Sequence, residues 1–202
     1  MAEGAPIIDP EADAKRVFDV LVQGGLAIVP VNVGYAICAI DAEALERAFT
    51  TKQRKPHKRH AMIGSYALHE DIHVLPPREA GMVKLLIHDL DIPLGVVAPF
   101  KQDHPIIRRL GAETLARSSM EGTLAMLCNA GPVLDELARL SFEAGLPCMG
   151  SSANLTGKGT KSVSLHPLPV RNQSAHFAAV SELRTLNLRS SMPPTSSSTT
   201  AR

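Results

Sequence analysis

Apolar and polar positions alternate along the chain in blocks that predict alternating helices and strands. Asp9 followed by Pro10 is typical of a capped helix start, and Gly24 is typical of a helix end. Between them, apolar residues recur at helical spacing. Residues 26–30 and 35–40 are short apolar runs, which predict two buried strands.

The rest of the chain repeats this pattern and predicts an α/β domain. Asp41 is expected to cap a short helix that carries Leu45 and Phe49 on its apolar face. The further expected helices cover residues 80–88, 104–110 and 132–145, and the further expected strands cover residues 95–98, 124–128 and 144–149. Strands that alternate with helices in this way indicate a sheet that helices largely cover.

Length and composition indicate one domain followed by a polar tail. The 202 residues are enough to bury a substantial core, and 45% apolar with 20% charged residues is typical of a soluble protein. We expect residues 1–188 to form the domain and residues 189–202, which are rich in Ser, Thr and Pro, to be disordered. The net charge of +1 neither favours nor excludes a nucleic-acid partner.

Cysteine content and the N-terminal sequence predict a cytoplasmic protein. Cys38, Cys128 and Cys148 are far apart in apolar runs, which is typical of reduced thiols in a core. The N-terminus lacks the basic and apolar regions of a secretory signal, and no apolar run reaches membrane-spanning length. We therefore expect no membrane partner, while the oligomeric state stays open.

A polar stretch from Gly150 to Gly157 is the first candidate binding segment. Ser151, Ser152 and Asn154 offer neutral hydrogen-bond donors and acceptors on short side chains. The flanking glycines let backbone N–H groups approach a ligand closely. Ser, Asn and Gly are also the usual residues of turns, so composition alone favours an ordinary turn over a binding segment.

A cationic segment is the second candidate. Between Thr50 and Ile63 there is no acidic residue, and the cations there are Lys52, Arg54, Lys55, Lys58 and Arg59. Like charges this close repel one another unless anions or solvent compensate them. A solvated loop and a phosphate-binding site are both consistent with this composition.

One metal-binding motif is present, but its context argues against a metal. His69, Glu70 and His73 match His-Glu-x-x-His, in which two histidines on one helix face hold zinc. The prolines at positions 76 and 77 are expected to end the helix too early, and no third ligand is evident. We therefore expect no metal at these residues.

Three stretches together resemble the YrdC-like family, whose best-known members are threonylcarbamoyl-AMP synthases. They are residues 24–30 with Tyr35 after them, the Lys52-Gln53-Arg54 cluster with Lys58, and the segment from Ser151 to Gly157. The resemblance spans about residues 12–162. It implies a twisted, mixed α/β sheet with flanking helices and a concave, positively charged cavity.

The resemblance also implies an activity and a set of site residues. Members of the family bind ATP with Mg²⁺, threonine and bicarbonate, and they form threonylcarbamoyl-adenylate and pyrophosphate for the modification of transfer RNA. By position, Lys52 and Arg54 would be the catalytic residues, and together with Lys58 they would hold the triphosphate. The residues expected to bind the nucleotide or substrate are Lys58, Ser151, Ser152, Asn154, Tyr35 and Asn32.

The chain departs from the family pattern at positions that are usually polar. Val31 and Val33 replace two threonines, Gly95 lies in a segment that has lost another, and Leu127 replaces an arginine. A buried site without these hydroxyl and guanidinium groups is expected to suit a threonine zwitterion poorly, because the charges of the ligand would be unpaired.

Three functional hypotheses stay open at this point. The first is an adenylate-forming enzyme with a changed amino-acid pocket. The second is a cavity reused for a more apolar small molecule, in an enzyme of specialised metabolism or a binding protein, where Lys and Arg polarise a carbonyl or hold a carboxylate. The third is a double-stranded RNA-binding module, which rests on the basic cluster from Lys52 to Arg59.

Overall fold

The computed structural model describes residues 9–32, 34–52 and 58–153. The helices are α1 (Pro10–Val22), α2 (Ala42–Thr51), α3 (Tyr66–Ile72), α4 (Pro77–Lys84), α5 (Pro105–Arg109), α6 (Gly111–Ser118) and α7 (Pro132–Glu143), and a π-helical segment (Leu85–Asp89) continues α4. The strands are β1 (Ala27–Val31), β2 (Gly34–Ala39), β3 (Ala61–Ile63), β4 (Leu94–Pro99), β5 (Ser119–Met120), β6 (Thr123–Cys128) and β7 (Met149–Ser152). The expected domain end at residue 188 and the tail beyond it lie outside the described residues.

The described strands form one mixed sheet. Six of them follow the order β1-β2-β7-β3-β6-β4, and the short β5 pairs with β6. β3 and β6 are parallel, whereas the other pairs are antiparallel. Helices flank this sheet, so the predicted α/β class with a mixed sheet is confirmed.

Each face of the sheet has its own core, because successive side chains of a strand alternate between the two faces. We call the face that packs against α1 and α7 the back face, and Val29, Cys38 and Ile63 lie on it. The opposite, front face packs against α2, α3 and α5, and it includes Met62 and Met126. This division fixes which strand residues share a surface.

Helix capping follows the predictions from sequence. The Asp9 carboxylate accepts a hydrogen bond from the Ala12 N–H at 3.1 Å, and the Asp41 carboxylate accepts one from the Ala44 N–H at 2.7 Å. Such side chains satisfy N–H groups that have no partner within the first helical turn. The Asp41 cap fixes the start of α2, the helix that ends at the candidate site.

The prediction of a buried strand over residues 26–30 is wrong on one face. β1 lies at the edge of the sheet, and its extensive helix contacts are with α1 and α7 on the back face. Val29 is therefore buried, whereas Ile28 on the front face is 65% exposed.

The helix expected over residues 80–88 is present, but its apolar positions Met82, Leu85 and Leu86 are only partly buried, since Leu86 alone of the three packs against the front-face core. Met82 and Leu85 are 37% and 47% exposed, whereas Ile87 is 8% exposed. The helix changes from α4 to the π-helical segment at Leu85. A π-helix has more residues per turn, so spacing for an α-helix no longer identifies the face that meets the core.

The segment before Ser151 differs from its prediction as well. Residues 144–148 form a turn and irregular structure, and β7 begins only at Met149. Ser151 and Ser152 therefore belong to the strand and do not follow it.

Within the described residues, no helix has both the length and the apolar character that crossing a membrane requires.

Candidate functional site

Lys52 lies at the point where α2 ends. Its backbone N–H donates to the Ala48 carbonyl at 3.1 Å, and the residue caps the helix C-terminus. A cation is favourable there because unpaired carbonyl groups give this end of a helix a partial negative charge. The residue is only 7% exposed, so its ammonium group is held largely within the protein.

The Lys52 side chain joins α2 to β7. Its Nζ donates a hydrogen bond to Ser151 Oγ at 2.9 Å and another to the backbone carbonyl of Ser152. A buried ammonium needs such acceptors, because burial without them is costly. The two oxygen acceptors hold the amine at one position beside β7.

The two serines of β7 face opposite sides of the sheet. Ser151 pairs with Ile37 and lies on the front face, whereas Ser152 pairs with Ala36 and lies on the back face. Ser152 therefore meets Lys52 through its backbone carbonyl and not through its hydroxyl. The sequence alone does not show which serine lies on which face, because that depends on how β7 pairs with β2.

Tyr35 and Asn32 contact different parts of the chain. The Tyr35 carbonyl accepts a hydrogen bond from the Ala153 N–H at 2.7 Å, so Tyr35 lies next to the end of β7. The Asn32 N–H donates to the Ala130 carbonyl at 2.7 Å, which places Asn32 beside the start of α7. The structure thus brings Tyr35 to the segment that contacts Lys52, and it brings Asn32 to α7.

The remaining predicted site residues divide into two groups. Lys58 is exposed. Arg54 and Asn154 lie outside the described residues. The described part of the predicted site is therefore the cluster of Lys52, Ser151 and the Ser152 carbonyl, with Tyr35 nearby.

The substituted family positions do not line a common surface with Ser151. Val31 pairs with Gly34, and its position in β1 places it on the back face with Val29. Leu127 packs against the back-face core, and Gly95 pairs with it at that face. Val33 lies outside the described residues. Val31, Gly95 and Leu127 therefore do not lie on the face of the sheet that carries Ser151.

A cleft of about 240 Å³ between α2 and α6 is a separate feature that sequence reasoning did not find. The Arg117 guanidinium pairs with Glu46 and lies 4.8 Å from the centre of the Phe49 ring. His60 packs edge-on against the same ring, with centroids 4.1 Å apart. Because Arg117 already has an anionic and an aromatic partner, we do not place the functional site in this cleft.

His69 and His73 lie in the core and are 3% and 6% exposed. α3 ends at Ile72, one residue before the second histidine, and Pro76 and Pro77 follow shortly. In residues 9–32, 34–52 and 58–153, no group of three His, Cys, Asp or Glu side chains could hold a metal ion. The absence of zinc from the protein stays a prediction.

Solved structures of similar shape assign the fold. A hypothetical protein of Streptococcus mutans UA159 matches with 27% identity and a TM-score of 0.61, over 69% of this chain and 56% of that one. P. abyssi Sua5, complexed with L-threonine, matches with 21% identity and a TM-score of 0.59, over 87% of this chain and 46% of that one. The chain has a YrdC-like fold. E. coli YciO matches with 17% identity and a TM-score of 0.54, over 78% of this chain and 71% of that one.

The extent of these matches limits what they establish. The YrdC-like chain spans about half the length of the first two proteins, 56% and 46%. No protein-family model and no curated protein sequence matches it. The similarity in structure therefore establishes the fold, and the activity has to be argued from the site.

Proposed function

We propose that this chain is a YrdC-like enzyme that binds the phosphates of ATP at Lys52 and Ser151 and transfers the adenylyl group to a carboxylate or carbamate. The observation that carries this proposal is the hydrogen bond of 2.9 Å from the buried Lys52 ammonium to the Ser151 hydroxyl. A cation fixed in this way is suited to an anionic ligand, because little conformational entropy of the side chain is lost on binding.

The reaction would place charge where Lys52 can stabilise it. A carboxylate or carbamate oxygen attacks the α-phosphorus of ATP, and the bond from that phosphorus to the leaving pyrophosphate breaks. Negative charge grows on the pyrophosphate, and a preorganised cation lowers the energy of that transition state. Since Ser151 accepts from Lys52, its own O–H can donate to a ligand oxygen.

The oxygen groups of this site are of the kind that binds Mg²⁺. Magnesium prefers oxygen ligands and usually reaches a protein through substrate phosphates and water. The Ser151 hydroxyl supplies one such oxygen beside the phosphate position. When bound, Mg²⁺ would share the charge of the phosphates with Lys52.

The identity of the second substrate follows less directly. Sua5 of similar fold has been crystallised with L-threonine, and the resemblance to threonylcarbamoyl-AMP synthases suggests a role in the modification of transfer RNA. The fold supports a carbamoyl-adenylate as one product class. The alternative is a more apolar small molecule, and the specific observation in its favour is the 65% exposure of Ile28 on the front face. RNA binding stays a prediction, because Arg54 and Lys55 of its basic cluster lie outside the described residues.

Calorimetric titration with ATP and Mg²⁺ tests the proposal. We expect Lys52→Met to weaken ATP binding about ten- to hundredfold, the loss typical of one charge-assisted hydrogen bond. Lys15→Met is the matched control, because Lys15 is an exposed lysine of α1 that pairs with Asp19. Unchanged ATP affinity in a folded Lys52→Met protein, verified by circular dichroism, would exclude the proposed phosphate site.

A further inference from the structure

An exposed apolar row on the front face ends at Ser151. Ile28 of β1 pairs with Ile37 of β2, and Ile37 pairs with Ser151 of β7. Directly paired residues on neighbouring strands lie side by side on one face. Ile28 is 65% exposed and Ile37 is partly exposed, so this row is open to solvent up to the residue that contacts Lys52.

A second row lies parallel to the first. Pro30 of β1 pairs with Tyr35 of β2, and the Tyr35 carbonyl accepts from the Ala153 N–H at 2.7 Å. These residues are two positions from those of the first row and therefore share its face. Strands lie about 4.8 Å apart and residues on one face repeat about every 6.7 Å, so the six side chains cover roughly 10 by 7 Å.

The size and charge of this patch fit a small molecule. A stable protein interface takes roughly 20–30 residues from each partner, whereas the two rows hold six. One aromatic ring or a short branched hydrocarbon covers them. The patch also ends at a fixed cation, because Lys52 Nζ lies 2.9 Å from Ser151 Oγ. A molecule that is anionic at one end and apolar at the other is complementary to both features.

We infer that the ligand bound through Lys52 and Ser151 carries an apolar ring or branched hydrocarbon that lies on Ile28, Ile37 and Pro30. This inference rests on the proposed anion site and adds the chemical class of the group attached to the anion. Among the two rows, only Ser151 and Tyr35 have side chains that form hydrogen bonds, so the surface does not suit a zwitterion. The apolar group belongs to the nucleobase or to the second substrate, and the two sources can be separated.

Two phosphate monoesters of equal charge test the inference on the full chain. Methyl phosphate and phenyl phosphate at pH 8 differ only in the ring, and we expect phenyl phosphate to bind about tenfold more tightly because one ring face leaves water. O-phosphoserine adds a zwitterion to the same phosphate, and we expect it to bind no more tightly than methyl phosphate. Titrations followed by nuclear magnetic resonance give these affinities even when they are millimolar.

The variant Ile28→Ser tests whether the preference for phenyl over methyl phosphate depends on this patch. We expect it to reduce the affinity ratio of phenyl to methyl phosphate by about two- to threefold, because Ile37 beside Ser151 still contacts the ring. The matched control is Val97→Ser, because Val97 is a 43% exposed strand residue on the back face, and it should keep the ratio of the unchanged protein. An affinity for adenosine monophosphate that depends on Ile28 in the same way assigns the ring to the nucleobase. If that affinity does not depend on Ile28, the apolar group belongs to the second substrate.

Other results would overturn the inference. Equal binding of the two monoesters would exclude the apolar group but leave the anion site intact. If neither bound, the proposed function would fail as well. A change of sedimentation with Ile28→Ser would show that a second copy of the chain covers the patch. A fall in melting temperature as large as that of a core substitution would show that another segment of the same chain does.

Discussion

The Nδ1 atoms of His69 and His73 lie 2.7 Å apart in the front-face core, at a separation of one helical turn. One imidazole must donate and the other accept, so at least one of the two rings carries no proton at this nitrogen. Burial lowers the pKa of His69, and burial together with repulsion from His69 lowers the pKa of His73 to about 4. The folded protein therefore holds both rings neutral at pH 7.

This pair predicts a loss of stability in mild acid. Both pKa values are below the ordinary value of about 6.5, so between pH 6.5 and pH 4 the unfolded chain binds protons that the folded chain does not. The free energy of unfolding should therefore decrease as pH falls through this range, by roughly 3 kcal/mol for His73 at pH 4. Urea unfolding at several pH values between 4 and 8 measures this change.

A second histidine provides the control for the pH dependence. His88 is exposed and packs edge-on against Tyr66, so His88→Gln is the control variant outside the buried pair. His73→Gln should make it shallower, even though the variant will also be less stable at pH 7. A free energy of unfolding that stays constant from pH 7 to pH 5 would contradict the neutral pair.

Two glycines in strands should respond differently to the addition of a methyl group. A Cβ on Gly150 would lie 2.8 Å from Ile63 Cδ1 and 3.3 Å from the Ile37 carbonyl oxygen, whereas one on Gly95 meets nothing within 4 Å. We expect Gly150→Ala to lower the free energy of unfolding by about 1–3 kcal/mol, because the buried Ile63 side chain must shift within a packed core. Gly95→Ala should be neutral or slightly stabilising. Similar values for both variants in urea would show that β7 is not packed as described.

The local sequence pattern was sufficient where the cause of a structure is local. Asp9 and Asp41 cap their helices through N–H groups only three residues away. The exposure of Ile28 was not predictable in this way, because it depends on β1 lying at an edge, and the order of strands follows from long-range packing. Apolar content alone does not distinguish a strand covered on both faces from one covered on a single face.

The candidate site shows the same division. Lys52 and Ser151 are 99 residues apart, and no spacing rule connects them, so only the family resemblance brought them together before the structure. The opposite orientations of Ser151 and Ser152 follow from the register of β7 against β2. Arg54 and Asn154 lie outside the described residues, and their roles stay predictions.

Substitutions of the two serines should weaken ligand binding to different extents. Ser151→Ala removes the hydroxyl that accepts from Lys52 and that would donate to a phosphate, so ATP binding should weaken by about tenfold. Ser152→Ala retains the carbonyl that contacts Lys52, so its effect should be less than about twofold. Titration calorimetry of both variants gives the comparison. Equal losses would indicate that the hydroxyl of Ser152 also reaches the ligand.

The three cysteines should be unreactive in the folded protein. All are buried and unbridged. Burial, with a smaller contribution from Asp135, raises the pKa of the Cys128 thiol to about 12, and a hydrogen bond with Cys38 together with burial raises that of Cys148. At pH 8 we expect labelling by a disulfide reagent to be more than about 1000-fold slower than for an exposed thiol, because only the thiolate reacts. Three equivalents should react in guanidinium chloride, and rapid labelling of any one without denaturant would contradict the described core.

The last prediction concerns threonine as a substrate. A threonine zwitterion needs one partner for its carboxylate and another for its ammonium, and the front face beside Ser151 presents Ile37 and Ile28 instead. The loss of two charge-assisted hydrogen bonds, each worth roughly 1.5–3 kcal/mol, weakens binding about a hundredfold or more. With ATP, Mg²⁺, bicarbonate and threonine below saturation, we expect pyrophosphate release at about 1% or less of the rate of P. abyssi Sua5 assayed alongside.

An apolar carboxylic acid in place of threonine should restore release if it lies on the two rows, and Ile28→Ser should reduce that gain. Comparable rates for the two proteins with threonine would show that residues beyond this face provide the missing polar partners, and the assignment of the second substrate to an apolar class would then be wrong.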